Sequence, residues 1–259
     1  MVAPSGTYDA LTFPVALPKS VVMAMLPDWL QNAFLPIPEQ VYDSLCLERK
    51  TSDGEDTHII VLQLGYQHGT GVGPSIIHMS FHEAKIDIPY LKHWHRKHIE
   101  SDAIPFVYKQ VIIFSSRLLQ ISGLVIPGSR SLLGAFGPDQ TPSSYGHDPS
   151  SMEYNIKDLL EAEFTREDQT QDADSRWPEV KRLIEMPWFG GKTGKAAVEF
   201  HFQWDSEDAL PVKAYHVETT LTPKFLGIDS EANQSIQVST TAWRFKAPFS
   251  GVEQGADGY

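Results

Sequence analysis

The sequence predicts an α+β domain of mainly antiparallel strands, either a closed barrel or packed sheets, with a few peripheral helices. Two patterns carry that expectation. Apolar or alternating runs recur at 57–67, 76–91, 104–116, 196–204, 212–221 and 235–245, and alternation with period two marks a strand that buries one face. Helical patterns, by contrast, are few and seldom fall between these runs, which favours a barrel or packed-sheet arrangement.

Residues 1–18 contain three prolines and little periodicity, and read as an extended arm. In 18–35, Val21, Val22, Met25 and Leu26 recur at helical spacing, and Pro27 ends that turn. The run 57–67 is rich in β-branched residues and reads as a buried strand. Its successor, "GTGVGPS" (69–75), has the glycines of a phosphate loop but no Lys-Ser/Thr ending, so it reads as a turn.

Within 76–91, Ala84, Ile86, Ile88 and Tyr90 fall on one face of a strand, and Phe81, Glu83, Lys85 and Asp87 on the other. The strand 104–116 carries Tyr108 and Lys109. A short helical turn, a Gly/Pro bend and a further strand follow over 117–136. Turn-forming residues fill 137–150, and helices are predicted over 151–164 and 177–186, so that 137–195 reads as a loop and helical insertion. The chain then returns to strands and ends, from Ser250, in a flexible tail. With no internal repeat and no clean boundary, residues 1–259 form one domain.

Composition narrows the partners. The chain has 259 residues and a net charge of −12, which argues against nucleic acid and against an anionic membrane surface. No apolar run approaches the length of a membrane span, ~18 residues. Cys46 is the single cysteine, excluding an intrachain disulfide and a thiolate metal cluster. Without a basic flank and apolar core at the N-terminus, the expected location is the cytoplasm.

Several residues invite chemistry. On a half-exposed strand, Glu83 is part of a solvated polar face; inside a closed barrel it is a proton-active carboxylate. His93, His95 and His98 stand close together, but Lys92, Arg96 and Lys97 accompany them. Cations repel a dication, so the segment reads as an exposed loop and no metal is expected. His201 lies two positions from Glu199, and His216 two from Glu218, so each pair shares a strand face. Such pairs serve either as an acid–base set lining an interior or as ordinary outer-face residues. Trp243 belongs to the core or to a ligand wall. Lys109, in "YKQ", reads as a surface lysine, the alternative being an amine that reaches a pocket from its strand. Ser129 and Ser131 lack the second glycine of a nucleophile elbow in "PGSRS".

Three stretches, taken in order, resemble the acetoacetate decarboxylase-like superfamily: "LPKSVVMAMLPDWLQ" (17–31), "SFHEAKIDIPYL" (80–91) and "PFVYKQVIIFSSRLLQISGLVIPGSRS" (105–131). The resemblance implies a closed, cone-like β-barrel around an apolar pocket, with helices outside and homo-oligomers frequent. It places Glu83 at the active site. Decarboxylating members form a Schiff base through a lysine in a Gly-aromatic-Pro-Lys-Lys turn. Here that turn reads "VIPGSRS", and no lysine occurs between Lys109 and Lys157. Arg130 stays protonated and cannot act as the amine, but its forked donors suit a carboxylate, carbonyl or enolate oxygen.

The resulting expectation is a cofactor-independent enzyme of specialised metabolism acting on a hydrophobic small molecule. Its step would be a cyclisation, isomerisation, dehydration or Diels–Alder-type pericyclic reaction made without a Schiff-base lysine. Glu83 and Arg130 are the expected catalytic residues; Tyr108, His201, His216 and Trp243 are the expected substrate contacts. The alternatives are a binding-only protein, or a β-keto acid decarboxylase working through another residue.

Overall fold

The computed structural model describes residues 4–72, 78–93, 104–120, 130–137, 149–167, 171–191, 196–229 and 234–255. Its strands are β1 (Pro4–Pro18), β2 (Thr57–Val72), β3 (Met79–Leu91), β4 (Phe106–Phe114), β5 (Ser131–Leu133) and β6 (Phe136–Gly137), followed by β7 (Ser151–Ile156), β8 (Leu160–Arg166), β9 (Trp188–Phe189), β10 (Ala196–Phe202), β11 (Leu210–Leu221) and β12 (Ile236–Gly255). The helices are α1 (Lys19–Met25), α2 (Glu39–Leu45), α3 (Gln171–Glu185) and α4 (Pro223–Leu226).

All twelve strands join one mainly antiparallel sheet, in which β4 pairs in parallel with β5 and β9. The path β1–β2–β3–β4–β9–β10–β12 returns to its start, because β12 also pairs with β1. Strand β12, 20 residues long, continues past this ring to pair with β11, which leads on to β8, β7 and β6.

Two large apolar cores, and a small third cluster of Phe81, Ile112 and Phe114, follow from strand alternation among the described residues. One lies between the outer faces of β1–β4 and the strands β7, β8 and β11, where Leu11, Phe13, Leu64, Ala84, Ile86 and Val111 meet Tyr154, Phe164, Tyr215 and Val217. The other joins ring residues Tyr8, Val61, Trp243, Phe245 and Phe249 to α2 and α3, through Tyr42, Leu45, Val180 and Leu183.

Several expectations need correction. The arm 1–18 is a strand from Pro4, largely buried, and it closes the ring. Its prolines, Pro4, Pro14 and Pro18, lie outside Ser5–Thr12, the stretch that also pairs with β12, so each sits where β1 has a partner on one side only and a missing N–H is tolerated. The helix expected at 151–164 is the hairpin β7–β8. Met152, Tyr154 and Ile156, then Leu160, Ala162 and Phe164, alternate inward, and Asp158 turns the chain at φ +61°. Helix-favouring Glu on the solvent face, together with Leu and Ala on the buried one, masked that period. The tail remains in β12 as far as Gly255. Tyr90 leaves the face of Ile86 and Ile88: at φ +60°, beside a register shift against β4, it turns into the other core.

Candidate functional site

Alternation along β3 decides the chemistry. Ala84, Ile86 and Ile88 enter the apolar core between the layers, so Glu83, Lys85 and Asp87 project from the opposite face. That face is not solvated: each of the three is at most 4% exposed. A bulge after Ile86 sets Asp87 opposite Lys109 of β4, which is also buried. Lys109 therefore departs from the surface position expected of it.

The four charges form two ion pairs. Lys85 Nζ stands 2.5 Å from Glu83 Oε1, and Lys109 Nζ stands 3.0 and 3.1 Å from the two Asp87 oxygens. Two glutamines of β2 complete the carboxylates. Gln63 Nε2 donates to Asp87 Oδ2 at 2.6 Å, and Gln67 Nε2 donates to Glu83 Oε2 at 2.7 Å. Charge-assisted bonds of this kind are what keep carboxylates ionised away from water.

Aromatic faces surround the ammonium groups. Lys85 Nζ lies 4.4 Å from the Tyr8 ring centre, Lys109 Nζ lies 4.9 Å from that of Trp188, and both face Phe200. Burial lowers the Lys109 pKa from its ordinary value; Asp87 opposes that shift, and the neighbouring Lys85 charge adds to it. Burial, reinforced by Glu83, pushes the Tyr8 hydroxyl well above its ordinary value, so it stays a neutral donor. Gly65, paired with Ala10 and Glu83, lets β1 come this close: a Cβ there would lie 2.6 Å from Asp9 O and 2.8 Å from the Tyr8 ring.

Arg130 is elsewhere. Its guanidinium meets Tyr108, which faces the core between the layers, on the other side of β4 from Lys109. Its Nη2 donates to Lys224 O at 3.3 Å, and Gly227 beside it supplies the left-handed backbone (φ +75°) that favours glycine. The structure therefore does not bring Glu83 and Arg130 together. Tyr108 packs with Trp29 and Phe189, beside Arg130 and away from the ion pairs.

The remaining candidates also separate. Phe200 takes the inward side of β10, leaving the His201 side chain 58% exposed, 3.4 Å from Glu199. The His216 side chain is 43% exposed, beside Glu218 and Ser239. Both histidines are outer-face residues rather than lining of an interior. Trp243 is buried, and its indole N–H donates to Ala173 O in α3 at 3.2 Å. Ser131 is buried on β5, opposite Ile112; Ser129 lies outside the described residues.

His93 is 2% exposed and packs on Phe106 and Phe189, which corrects its reading as an exposed loop residue. His95 and His98 lie outside the described residues. Among the described residues no group of His, Cys, Asp and Glu is arranged for a metal, and no helix is long and apolar enough to cross a membrane.

A surface groove of about 550 Å³ is lined by Phe34, Leu35, Pro36, Pro38, Tyr90, Lys92, Pro105 and Arg182, none of them in the charged cluster. Arg182 is already engaged by Glu179 and Tyr90, which leaves the buried ion pairs as the stronger site.

No family model matches the chain, and no curated protein matches it in sequence. Solved structures do match. Acetoacetate decarboxylase from Legionella pneumophila subsp. pneumophila str. Philadelphia 1 superposes with TM-score 0.54 at 11% identity, over 98% of this chain and 87% of that one. An acetoacetate decarboxylase-like enzyme from Sphingomonas wittichii RW1 gives 0.51 at 14% identity, over 98% and 94%. The enduracididine biosynthesis enzyme MppR, solved in complex with pyruvate, gives 0.53 at 11%, over 98% and 90%. The chain thus has the acetoacetate decarboxylase-like fold.

Proposed function

We propose that this chain is a cofactor-independent small-molecule enzyme that works on a carbonyl compound inside a closed, cone-like β-barrel, with Lys109 as its amine. One observation carries the reading: a buried lysine, its pKa lowered, is held 3.0 and 3.1 Å from both oxygens of a buried carboxylate. Burial and a second ammonium group are what make a lysine amine available for attack on a carbonyl.

Proton accounting within the cluster is closed. Lys109 passes a proton to Asp87, leaving a neutral amine and a neutral acid. The amine lone pair forms a C–N bond to the carbonyl carbon, and proton transfer from nitrogen to oxygen gives the carbinolamine. Asp87 returns its proton to the departing hydroxyl, which leaves as water, and an iminium ion faces the Asp87 carboxylate. Glu83 then takes a proton from the carbon beside the iminium, giving an enamine. The enamine serves cyclisation, isomerisation or dehydration, through an amine where the sequence led to a step made without a Schiff-base lysine. Hydrolysis reverses the first steps and frees Lys109.

Cyanoborohydride trapping with a simple ketone tests the reading. The expected product is a single adduct by intact mass, mapped by peptide digestion to Lys109. Absence of any adduct there would overturn the amine mechanism in favour of a shape-guided pericyclic step or a binding-only role.

A further inference from the structure

The charge balance of the cluster and the polar atoms around it limit what it accepts. Among the described residues the buried cations are Lys85, Lys109 and Arg244. The first two face Glu83 and Asp87, and Arg244 faces Asp9. A substrate carboxylate entering here would be a fifth buried charge without a cation of its own, a cost of several kcal/mol by the usual desolvation penalty. Arg130, with no carboxylate partner among the described residues, lies on the other side of β4.

Neutral donors, in contrast, are left over. The Tyr8 hydroxyl, the Trp188 indole N–H and the Ser131 hydroxyl are buried without a hydrogen-bond partner. Two of them belong to the rings that pack on the ammonium groups of Lys85 and Lys109. An indole N–H can only donate, and buried donors of this kind are satisfied by carbonyl, ester or ether oxygens. Phe200 beside both lysines and the buried cluster Phe81, Ile112 and Phe114 on the same face of β3 and β4 add apolar walls.

We infer that the site takes an uncharged carbonyl compound carrying a second acceptor oxygen, not a free keto acid, and that Tyr8 and Trp188 select it. This rests on Lys109 being the amine. The carbonyl carbon bonds to Lys109 while the second oxygen accepts from the indole or phenol, which aligns the substrate for the steps above.

Ethyl 4-oxopentanoate and 4-oxopentanoate form a matched pair, with the same ketone and differing only in the carboxyl group. With cyanoborohydride, the ester is expected to reach half-maximal trapping at a concentration at least tenfold below the acid. Trp188→Phe and Tyr8→Phe keep the rings and remove the donors; each is expected to raise the ester's half-saturating concentration about tenfold. Trapping of the acid at an equal or lower concentration overturns the inference while leaving Lys109 as the amine, as does an unchanged ester value in both variants. If neither compound gives an adduct, the Lys109 mechanism fails, and calorimetry on the wild-type protein decides the rest. Ester binding at least tenfold tighter than acid binding retains the substrate class; equal binding overturns it.

Discussion

Adjacent side chains of β3 live in opposite environments. Ala84, Ile86 and Ile88 sit in a fully apolar layer, where burial alone stabilises the fold. Glu83, Lys85 and Asp87, one residue out of phase, are buried as well but are ionisable and held in ion pairs. Buried ion pairs gain little over well-packed apolar residues, because desolvation offsets most of the attraction. The apolar face therefore accounts for stability, and the charged face is the place to look for chemistry.

Replacing the Lys109–Asp87 pair by neutral side chains of similar shape tests that division most severely. Lys109→Met with Asp87→Asn is expected to lower trapping by about a thousandfold or more, equivalent to ~4 kcal/mol in the barrier. Its urea unfolding free energy should stay within about 1 kcal/mol of wild type or rise, as when other buried pairs are replaced. A folded variant that still traps ketones at the wild-type rate would return β3 to a purely structural role.

Breaking the pair from one side should give the opposite result. Asp87→Ala leaves the Lys109 ammonium buried without its partner and is expected to cost about 3–5 kcal/mol at neutral pH. Lysine pKa is depressed in this setting, so the unfolded chain binds more protons and stability rises with pH up to the unfolded lysine pKa. Urea titrations at pH 7 and 9.5 should show part of the loss recovered at the higher pH. An equal loss at both would place the damage in packing rather than charge.

His58 is the polar exception on the apolar side. Its neighbours in alternation, Ile60 and Leu62, belong to the core between the layers, and its ring packs on Phe34 with Nε2 2.9 Å from Pro89 O. Burial lowers its pKa from 6.5 to about 4, so the folded state holds it neutral. The contribution is complete above pH 6.5, falls as the unfolded histidine protonates, and is lost by about pH 4. That depression corresponds to ~3 kcal/mol over the window. Thermal unfolding of His58→Gln is expected to lose stability less steeply than wild type between pH 6.5 and 4. Parallel curves would show that His58 does not titrate across folding.

How much of this could be read from the residues depended on which physical signal dominated locally. The faces of β3 followed directly from alternation in "FHEAKIDI", so Glu83, Lys85 and Asp87 were placed on one side correctly. Whether that side met solvent or an interior depended on β1 closing the ring, and the prolines of β1 disguised it as an arm. Lys109 was hidden because its partner lies 22 residues away, brought opposite by a bulge that no local pattern announces. Tyr8 and Trp188 reach the site from the distant strands β1 and β9. The Arg130 turn was recognisable, but its direction was not: Tyr108 and Lys109 point to opposite sides, and Arg130 follows Tyr108.

The smallest effects should come from the histidines on the outer sheet faces. His201 and His216 sit near Glu199 and Glu218 at 3.4 and 3.5 Å, with most or nearly half of each imidazole side chain in solvent. Exposed pairs of this kind contribute about 0–1 kcal/mol and are screened by salt. His201→Ala and His216→Ala are therefore expected to change unfolding free energy by less than about 0.5 kcal/mol, with the half-saturating ester concentration unchanged. His201 gives the sharper test, because its neighbour Phe200 faces both lysines of the cluster and the two side chains must diverge along one strand. A tenfold loss of trapping in His201→Ala alone would mean that β10 presents its other face to the substrate, and the inward assignment of the whole ring would have to be redrawn from that strand.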